Sequence, residues 1–173
     1  VGIDGLNSNR CLYGDPDGDR TLILFGDSHA MQYFPPLEAL AEERHWRLIL
    51  LTKAECTPGE VKIRSMVADR EYSQCDTWRE SALKRIEESG DDDAVTVVMS
   101  GDTAYTAYNE DGEELSGDEN AEALQEGYEK TLRRIEGAGP RTVVIRDTPA
   151  SSSDVPSCVS EDLQNLQACA FKQ

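Results

Sequence analysis

A serine follows a short apolar run in the first part of the chain. The run at residues 22–25 ends in Gly26-Asp27-Ser28, and a helix-like segment begins at once. This order places the Ser28 hydroxyl at the C-terminal end of a buried strand and beside a helix N-terminus. Ligands and reactive groups of open α/β sheets collect there, and helix N–H groups stabilise developing negative charge. Ser28 is therefore a candidate nucleophile, and the alternative is a serine that only caps the helix.

The residues around Ser28 suit a tight turn, but no base for the serine is evident. Gly26 permits the close backbone path before a helix, and we expect Asp27 to hold the turn by accepting backbone N–H groups. The chain has two histidines, His29 and His45. Neighbouring side chains on a helix point about 100° apart, so a structural or substrate-contact role suits His29 better than that of base. His45 lies at a predicted helix end, where the helix dipole accounts for it.

Strands and helices alternate along the chain, and this alternation predicts the fold class. Short apolar runs predict strands at residues 21–25, 46–51, 94–99 and 142–145. Helical spacing predicts helices at residues 31–45, 72–89 and 121–136, and a short one from about residue 160. Residues 1–20, 52–70 and 109–120 are predicted loops, and residues 91–93 an acidic turn. The pattern predicts a single α/β domain over residues 1–173, a three-layer α/β/α sandwich around a parallel sheet. The alternation stops after four strands, which is few for such a sheet.

The composition excludes several classes of partner. The chain carries 34 acidic against 17 basic residues, a formal charge of −17. This argues against binding to nucleic acid or anionic membranes, and solubility is its simplest role. The longest apolar run is far shorter than the roughly 20 residues of a spanning helix. The start at Val1 has no signal-peptide features, and the absence of an initiator Met suggests a processed or excised piece.

No metal or cofactor is predicted from the sequence. Asp15-x-Asp17-x-Asp19 resembles the start of a calcium loop, but Arg20 and Gly26 replace the glycine and glutamate that such a loop needs. The acidic residues between 110 and 119 are predicted to form a solvated loop, with a weak cation site as the minor alternative. No zinc spacing or phosphate-binding motif is present.

The five cysteines indicate whether the protein lies in an oxidising or a reducing compartment. Cys56 and Cys75 lie close in sequence, as do Cys158 and Cys169, and each pair flanks a loop. This spacing suits two local disulfides in an oxidising compartment. Cys11 is left over, and its partner would lie outside this chain. Five reduced thiols in a cytosolic protein are the alternative, and the sequence alone does not fix the pairing.

Several motifs together resemble one family. The segment Phe25-Gly26-Asp27-Ser28-His29-Ala30 resembles the first block of the SGNH (GDSL-like) hydrolase superfamily and, more narrowly, the SGNH domain fused to membrane acyltransferase-3 proteins of bacterial envelopes. The other matching motifs are Thr52-Lys53-Ala54-Glu55-Cys56-Thr57-Pro58, Cys75 with Trp78, Asp147-Thr148-Pro149 and Asp154-Val155-Pro156-Ser157-Cys158. The resemblance extends from Cys11 to Cys169 and implies the flavodoxin-like SGNH fold.

The resemblance also implies a mechanism. Ser28 would attack an acyl ester, and the acyl group would then pass to a sugar hydroxyl or to water. The oxyanion would be held by the N–H of Ser28, by a backbone N–H at Ala54, where the superfamily has glycine, and by a third side chain. Thr103 stands where the superfamily has asparagine, in Gly101-Asp102-Thr103, and the nearby Asp102 carboxylate would repel an oxyanion.

The chain departs from the family at its C-terminus. The family carries its base and orienting acid as Asp-x-x-His, and the sequence reaches Gln173 without this block. The simplest interpretation is that further chain follows, with cysteines that include a partner for Cys11. A naturally inactive domain is the less economical alternative.

The sequence therefore predicts the extracytoplasmic SGNH domain of a membrane-anchored bacterial O-acyltransferase. It would accept an acyl group, with acetyl the expected one, from the membrane-embedded domain of the same polypeptide. It would deliver that group to an envelope glycan or glycolipid. The alternatives are a secreted carbohydrate esterase and a non-catalytic glycan-binding module of the same fold. For the 173-residue chain alone we expect very low activity, because losing one member of a triad costs several orders of magnitude.

Overall fold

A five-stranded sheet lies at the centre of the computed structural model. The structure describes residues 11–90, 94–148, 151 and 154–170. The strands of the central sheet are β1 Leu12–Gly14, β2 Thr21–Gly26, β3 Arg47–Thr52, β6 Val95–Ser100 and β7 Arg141–Val144, and β4 Arg64–Ser65 and β5 Arg70–Glu71 form a separate hairpin. The helices are α1 Ser28–Met31, α2 Phe34–Arg44, α3 Ser73–Glu87, α4 Gly117–Gly137 and α5 Val155–Glu161, followed by a 3-10 helix at Leu166–Cys169.

The central sheet has the order β1-β3-β2-β6-β7 and is parallel except at β1. Strand β2 lies in the middle, and its last residue, Gly26, pairs with Thr52 on β3 and with Ser100 on β6. The carboxyl ends of three strands therefore meet at one edge, where ligands of such sheets bind. The predicted α/β class with a mainly parallel sheet is confirmed.

Helices pack on both faces of the sheet because its central strand is apolar throughout. Ile23 and Phe25 join a core that includes Trp78 and Ile86 from α3 and Ile135 from α4. Leu22 and Leu24 point the other way, as successive strand residues do, into a core with Ala30, Ala41 and the partly buried Leu37. All the side chains of β2 are buried, so the predicted sandwich of three layers is present.

Two predicted loops contain strands. Strand β1 lies within the predicted lead-in loop at residues 1–20 and pairs antiparallel with β3. The hairpin β4–β5 lies within and just beyond the predicted loop at residues 52–70. Strands of two or three residues are too short to show the two-residue periodicity from which strands are predicted.

Several helix boundaries also differ from the prediction. The predicted helix at residues 31–45 starts later, at Phe34, because Pro35 and Pro36 fit only a first turn. Met31 is instead the last residue of the separate short helix α1. Helix α4 begins four residues earlier than predicted, with Asp118 and Glu119 in its first turn, where acidic side chains are favourable.

The C-terminal helix is displaced from its predicted start near residue 160. Helix α5 covers Val155–Glu161 and is capped by Asp154, whose carboxylate accepts the N–H of Ser157 at 3.2 Å. The remaining strand and helix boundaries lie within about two residues of the prediction, and the predicted acidic turn at residues 91–93 lies outside the described residues. No helix in the described part of the chain is long and apolar enough to span a membrane.

The two local disulfides that the cysteine spacing suggested are present. Cys56–Cys75 connects the segment after β3 to helix α3, and both residues are fully buried. Cys158–Cys169 connects α5 to the 3-10 helix. Cys11 lies buried next to β1 and belongs to neither bond.

Candidate active site at the carboxyl edge of the sheet

The carboxylate of Asp27 fixes the turn that follows β2. It is fully buried and accepts four hydrogen bonds. Its Oδ1 accepts the N–H groups of His29 at 2.8 Å and Ala30 at 3.4 Å, which makes Asp27 the N-cap of α1. Its Oδ2 accepts the N–H of Asp102 at 2.8 Å and the hydroxyl of Tyr105 at 2.6 Å. A buried carboxylate with four donors is well satisfied, so it ties the start of α1 to the loop after β6.

Two glycines allow the chain segments around Asp27 to come this close. A Cβ at Gly26 would lie 1.8 Å from the carbonyl oxygen of Ser100. A Cβ at Gly101 would lie 2.8 Å from the hydroxyl of Tyr128 and 3.1 Å from Oδ2 of Asp27. Neither position has room for a side chain, so glycine is a packing requirement at the ends of both strands.

Ser28 is exposed at this edge, unlike its buried neighbour Asp27. Asp27, rather than Ser28, caps the helix. Among the described residues, neither the hydroxyl nor the N–H of Ser28 has a hydrogen-bond partner. Both groups of Ser28 are therefore available to a bound molecule, the hydroxyl as a nucleophile and the N–H as a donor to an oxyanion.

The imidazole of His29 points towards the end of β7. Its Nδ1 lies 2.7 Å from Oδ1 of Asp147, and its Nε2 lies 3.9 Å from Oδ2 of Asp102. Partial burial lowers the pKa of His29, but the hydrogen bond and charge of Asp147, with the charges of Asp102 and Asp27, outweigh it and raise the pKa above its ordinary value. No hydrogen bond joins His29 to Ser28 in the described part of the chain. The imidazole links the start of α1 to the segment after β7.

The side chains of His29, Asp102 and Asp147 also have the composition of a small metal site. Ligand atoms of His29, Asp102 and Asp147 all lie within 4.8 Å of one another. The hydrogen bond between His29 and Asp147 accounts for the closeness of these two side chains without an ion. The segment Asp15-x-Asp17-x-Asp19, whose sequence departs from that of a calcium loop, forms a turn in which the Asp15 carboxylate accepts the N–H of Asp17 at 3.0 Å.

The two other predicted oxyanion residues flank the Ser28 turn from the neighbouring strands. Ala54 lies in an exposed turn after β3, where Lys53 donates its N–H to the carbonyl of Gly26 at 3.0 Å. The N–H of Ala54 has no partner among the described residues. Thr103 is exposed in the loop after β6, directly after Asp102. The fold thus brings all three predicted oxyanion segments to the same edge of the sheet.

A mainly apolar hollow of about 430 Å³ opens on the β7 side of the site. Its apolar lining includes Leu124 and Tyr128 from α4 and Val144 and Ile145 from the end of β7. Asp102, Thr103 and Asp147 also line it. Desolvation raises the pKa of Tyr128 to about 12, so this phenol stays protonated and neutral at physiological pH. The hollow offers an apolar surface next to the loop that carries Thr103.

Two contacts at the site have no clear counterpart in the sequence pattern. Tyr105 supplies the shortest hydrogen bond to Asp27, yet it lies in a loop without periodicity. Asp147 is the partner of His29, although 118 residues separate the two. One signal was available for Asp147, because it follows an apolar strand just as Asp27 follows β2.

Comparisons with known proteins assign the chain to a family. Residues 3–172 match the model of the family described as SGNH domain (fused to AT3 domains). The chain belongs to this family. SGNH membership supports acyl-transferring or esterase chemistry, and the resemblance predicted from the motifs is confirmed.

A solved structure shows the same fold. The periplasmic domain of the lipopolysaccharide acetyltransferase of Salmonella ser. Paratyphi A superimposes with a TM-score of 0.64 at 16% sequence identity. The match covers 95% of this chain and 59% of that one. A comparison with curated proteins finds no significant match.

Proposed function

We propose that this chain is the extracytoplasmic SGNH domain of a membrane-anchored bacterial O-acyltransferase and that Ser28 is its nucleophile. The contrast between Ser28 and Asp27 carries the proposal. Asp27 is fully buried and fully hydrogen-bonded, whereas the neighbouring Ser28 is exposed with its hydroxyl and N–H open. A residue that only capped the helix would use its hydroxyl for that purpose.

The proposed reaction has two transfers. In the first, Oγ of Ser28 attacks the carbonyl carbon of the acyl donor while a base removes the hydroxyl proton. The N–H groups of Ser28 and Ala54 donate to the oxyanion, and the donor's leaving group departs with the proton. In the second, a hydroxyl of the acceptor attacks the acyl-serine, its proton passes through the base to Oγ, and Ser28 is restored.

His29 is poorly placed to be that base, because in the described part of the chain no hydrogen bond joins it to Ser28. Its Nε2, the nitrogen that would have to take the serine proton while Nδ1 is bonded to Asp147, faces Asp102 instead. We assign the base to the Asp-x-x-His block that the resemblance implies beyond these 173 residues. His29 and Asp147 then act as positioning residues that hold the start of α1 against the end of β7. On this proposal, the 173-residue chain alone has very low activity.

The partners follow from the family. The description of the family as fused to AT3 domains supports a membrane-embedded acyltransferase domain in the same polypeptide as the acyl source. The structural neighbour belongs to a lipopolysaccharide acetyltransferase, which supports acetyl as the acyl group and an envelope glycan or glycolipid as the acceptor. The two disulfides suit an oxidising, extracytoplasmic compartment.

Covalent labelling tests the nucleophile. Intact mass would be measured before and after a fluorophosphonate probe, for this chain and for a longer one that includes the segment after residue 173. We expect a single adduct on Ser28 in the longer chain and little labelling of the 173-residue chain. Ser28→Ala should abolish the adduct, whereas Ser160→Ala, a change at another exposed serine, should not. Labelling that survives Ser28→Ala, or a folded longer chain that is not labelled, would contradict the proposal.

Acylation in cells separates the alternatives. In the full membrane protein, Ser28→Ala should lower glycan acylation on the order of 10³-fold, because it removes the covalent step. Unchanged acylation would instead support a non-catalytic glycan-binding module. Rapid hydrolysis of simple acetyl esters by the longer chain, without transfer to a glycan, would support a secreted esterase.

A further inference from the structure

A second hollow lies on the β3 side of the site, opposite the apolar one. It has a volume of about 460 Å³ and lies between the turn after β3 and the hairpin β4–β5. We call it the hairpin groove and define it by Ala54, Glu55, Arg70, Glu71, Tyr72 and Gln74. Its wall nearest the site is the turn at residues 53–56, which is bonded to Gly26 through the N–H of Lys53. The groove therefore begins at the candidate oxyanion donor Ala54.

The hairpin groove is held in shape from several sides. The hydroxyl of Ser65 donates to Oε2 of Glu55 at 2.9 Å, which ties the hairpin to the turn after β3. The Cys56–Cys75 disulfide anchors the same turn to α3. The N–H of Tyr72 donates to the carbonyl of Ile63 at 2.8 Å, which fixes the other end of the hairpin. A groove that exists before the ligand arrives avoids much of the ordering cost of binding.

The chemistry of the hairpin groove differs from that of the apolar hollow. The groove offers a carboxylate at Glu55 and another at Glu71, a guanidinium at Arg70, an amide at Gln74 and the partly exposed ring of Tyr72. Carboxylates and guanidinium groups make strong, directional hydrogen bonds, and an aromatic ring provides a flat apolar face. A sugar ring presents hydroxyls at its edge and C–H groups on its faces, so this combination suits a sugar.

The charges at the hairpin groove favour a neutral sugar. The lining of the groove carries one cation, Arg70, against the two carboxylates of Glu55 and Glu71. Lys62, 3.9 Å from Glu71, and Lys53, whose ammonium lies 5.4 Å from the centre of the Tyr72 ring, stand beside the groove. The chain as a whole carries a charge of −17, so an acidic glycan would be repelled on approach. A local excess of cations, which an acidic sugar needs, is absent from the described residues of the groove.

We infer that the hairpin groove binds a neutral sugar ring of the acceptor glycan and directs one of its hydroxyls towards the acyl group on Ser28. This inference rests on the proposed function, because it places the acceptor at the same nucleophile. The hollow on the opposite side of Ser28 has a larger apolar part, to which Leu124, Val144 and Ile145 contribute. The two sides of the turn therefore differ in the ligand they suit.

Binding is tested without catalysis, on the Ser28→Ala chain labelled with ¹⁵N. The probes are the methyl glycosides of glucose, galactose, mannose and rhamnose, with methyl glucuronide as the acidic comparison. We expect amide shifts at residues 53–56 and 65–74 with at least one neutral glycoside and weaker shifts with the glucuronide. Shifts confined to the apolar hollow, equal or stronger binding of the glucuronide, or no shifts with any probe would overturn the inference.

Substitutions locate the contact. Tyr72→Ala should weaken binding about tenfold, as loss of a central aromatic contact does, whereas Tyr72→Phe keeps the ring and should bind nearly normally. If Tyr72→Ala does not fold, Arg70→Ala should still weaken binding, and Arg133→Ala, a change at an exposed arginine on α4, should not. Binding that survives both Tyr72→Ala and Arg70→Ala would overturn the assignment.

The two proposals fail in different ways. If Ser28 is labelled by the fluorophosphonate but no sugar shifts the groove, the groove inference is wrong and the nucleophile stands. If sugars bind the groove but Ser28 is not labelled in the longer chain, the nucleophile is wrong, and with it the acceptor role of the groove.

Discussion

The segments on the two sides of the Ser28 turn are held in place by different means. On the β3 flank, residues 53–59, the chain runs into the core, and Cys56 and Thr57 are fully buried. On the β7 flank, residues 145–148, the chain leaves an edge strand whose Val143 and Val144 are about half exposed, at 49% and 51%. Ile145 of this flank packs against the core cluster that contains Ala30 of α1, and beyond Ile145 the hydrogen bond between His29 and Asp147 joins the flank to α1.

This difference indicates which changes should unfold the protein and which should only shift the site. The β3 flank depends on burial and a covalent bond, so its loss should lower the free energy of unfolding of the whole domain. Beyond Ile145, the β7 flank depends on an ion pair with a partly exposed partner, and such pairs contribute little to global stability. The candidate nucleophile Ser28 thus lies between the β3 flank, which is rigidly held, and the β7 flank, which is held more weakly.

Removal of the core disulfide is the change with the largest expected effect. Replacing Cys56 and Cys75 together with serine opens a cross-link over 19 residues of sequence and leaves two polar groups in the core. We expect the free energy of unfolding to fall by about 3 kcal/mol, measured by urea denaturation without reductant.

The second disulfide is the matched control. Cys158 and Cys169 are only 11 residues apart and join α5 to the 3-10 helix, where among the described residues only Cys169 is buried. Replacing both with serine should shift the main transition by less than about 1 kcal/mol, since the effect stays local. Equal losses for the two pairs would contradict the difference between the flank and the C-terminal segment.

A buried hydroxyl on α4 gives the next largest effect on the β3 flank. Thr131 donates to the carbonyl of Pro58 at 2.8 Å and accepts the N–H of Glu60 at 3.1 Å. Thr131→Val leaves the Pro58 carbonyl without this donor, whereas the Glu60 N–H keeps the carbonyl of Gly127 at 2.9 Å. We expect a loss of about 1–2 kcal/mol in unfolding free energy.

The control for this change is Thr77→Val on α3. Thr77 also donates its hydroxyl to a backbone carbonyl, that of Ser73, but it is exposed to water. Its loss should change stability by less than about 0.5 kcal/mol. If Thr131→Val were as mild as Thr77→Val, burial would not be what holds the β3 flank.

The same contrast explains how much of the fold the sequence could predict. The strands β2, β3 and β6 are six residues long and largely apolar, so composition and length were enough to find them. Strand β1 has three residues and the strands of the hairpin have two, and such strands exist only because a neighbour pairs with them. Their existence depends on tertiary contacts that no local pattern contains.

The same limit applies to the site: residues at the ends of strands could be predicted, but contacts between distant residues could not. Ser28, Ala54 and Thr103 lie where strands end, and a parallel sheet gathers its strand ends at one edge. The hydrogen bonds of Asp27 to Tyr105 and of His29 to Asp147 join residues 78 and 118 positions apart. Residue types and spacing do not specify which side chains meet across such distances, so these two contacts required the structure.

The smallest expected effect belongs to His29→Gln on the β7 flank, and pH dependence distinguishes it from ordinary loss of packing. The pKa of His29 is raised in the folded protein. The stabilisation by its charged form is therefore complete below the unfolded value of about 6.5 and is lost as pH rises through the folded value. The side chain of His29 is 32% exposed, so we expect less than about 1 kcal/mol.

Urea denaturation at acidic and alkaline pH measures this contribution against a matched histidine. The difference between the wild type and His29→Gln should be larger at about pH 5.5 than at about pH 8.5, because the charged form of His29 is lost as pH rises through its raised pKa. His45 also lies near a carboxylate, 3.4 Å from Asp15, but its side chain is 83% exposed, so His45→Gln should show a smaller difference. A loss of stability in His29→Gln that grew with pH, or one as large as that of the core disulfide, would mean that the β7 flank is not the more weakly held of the two flanks.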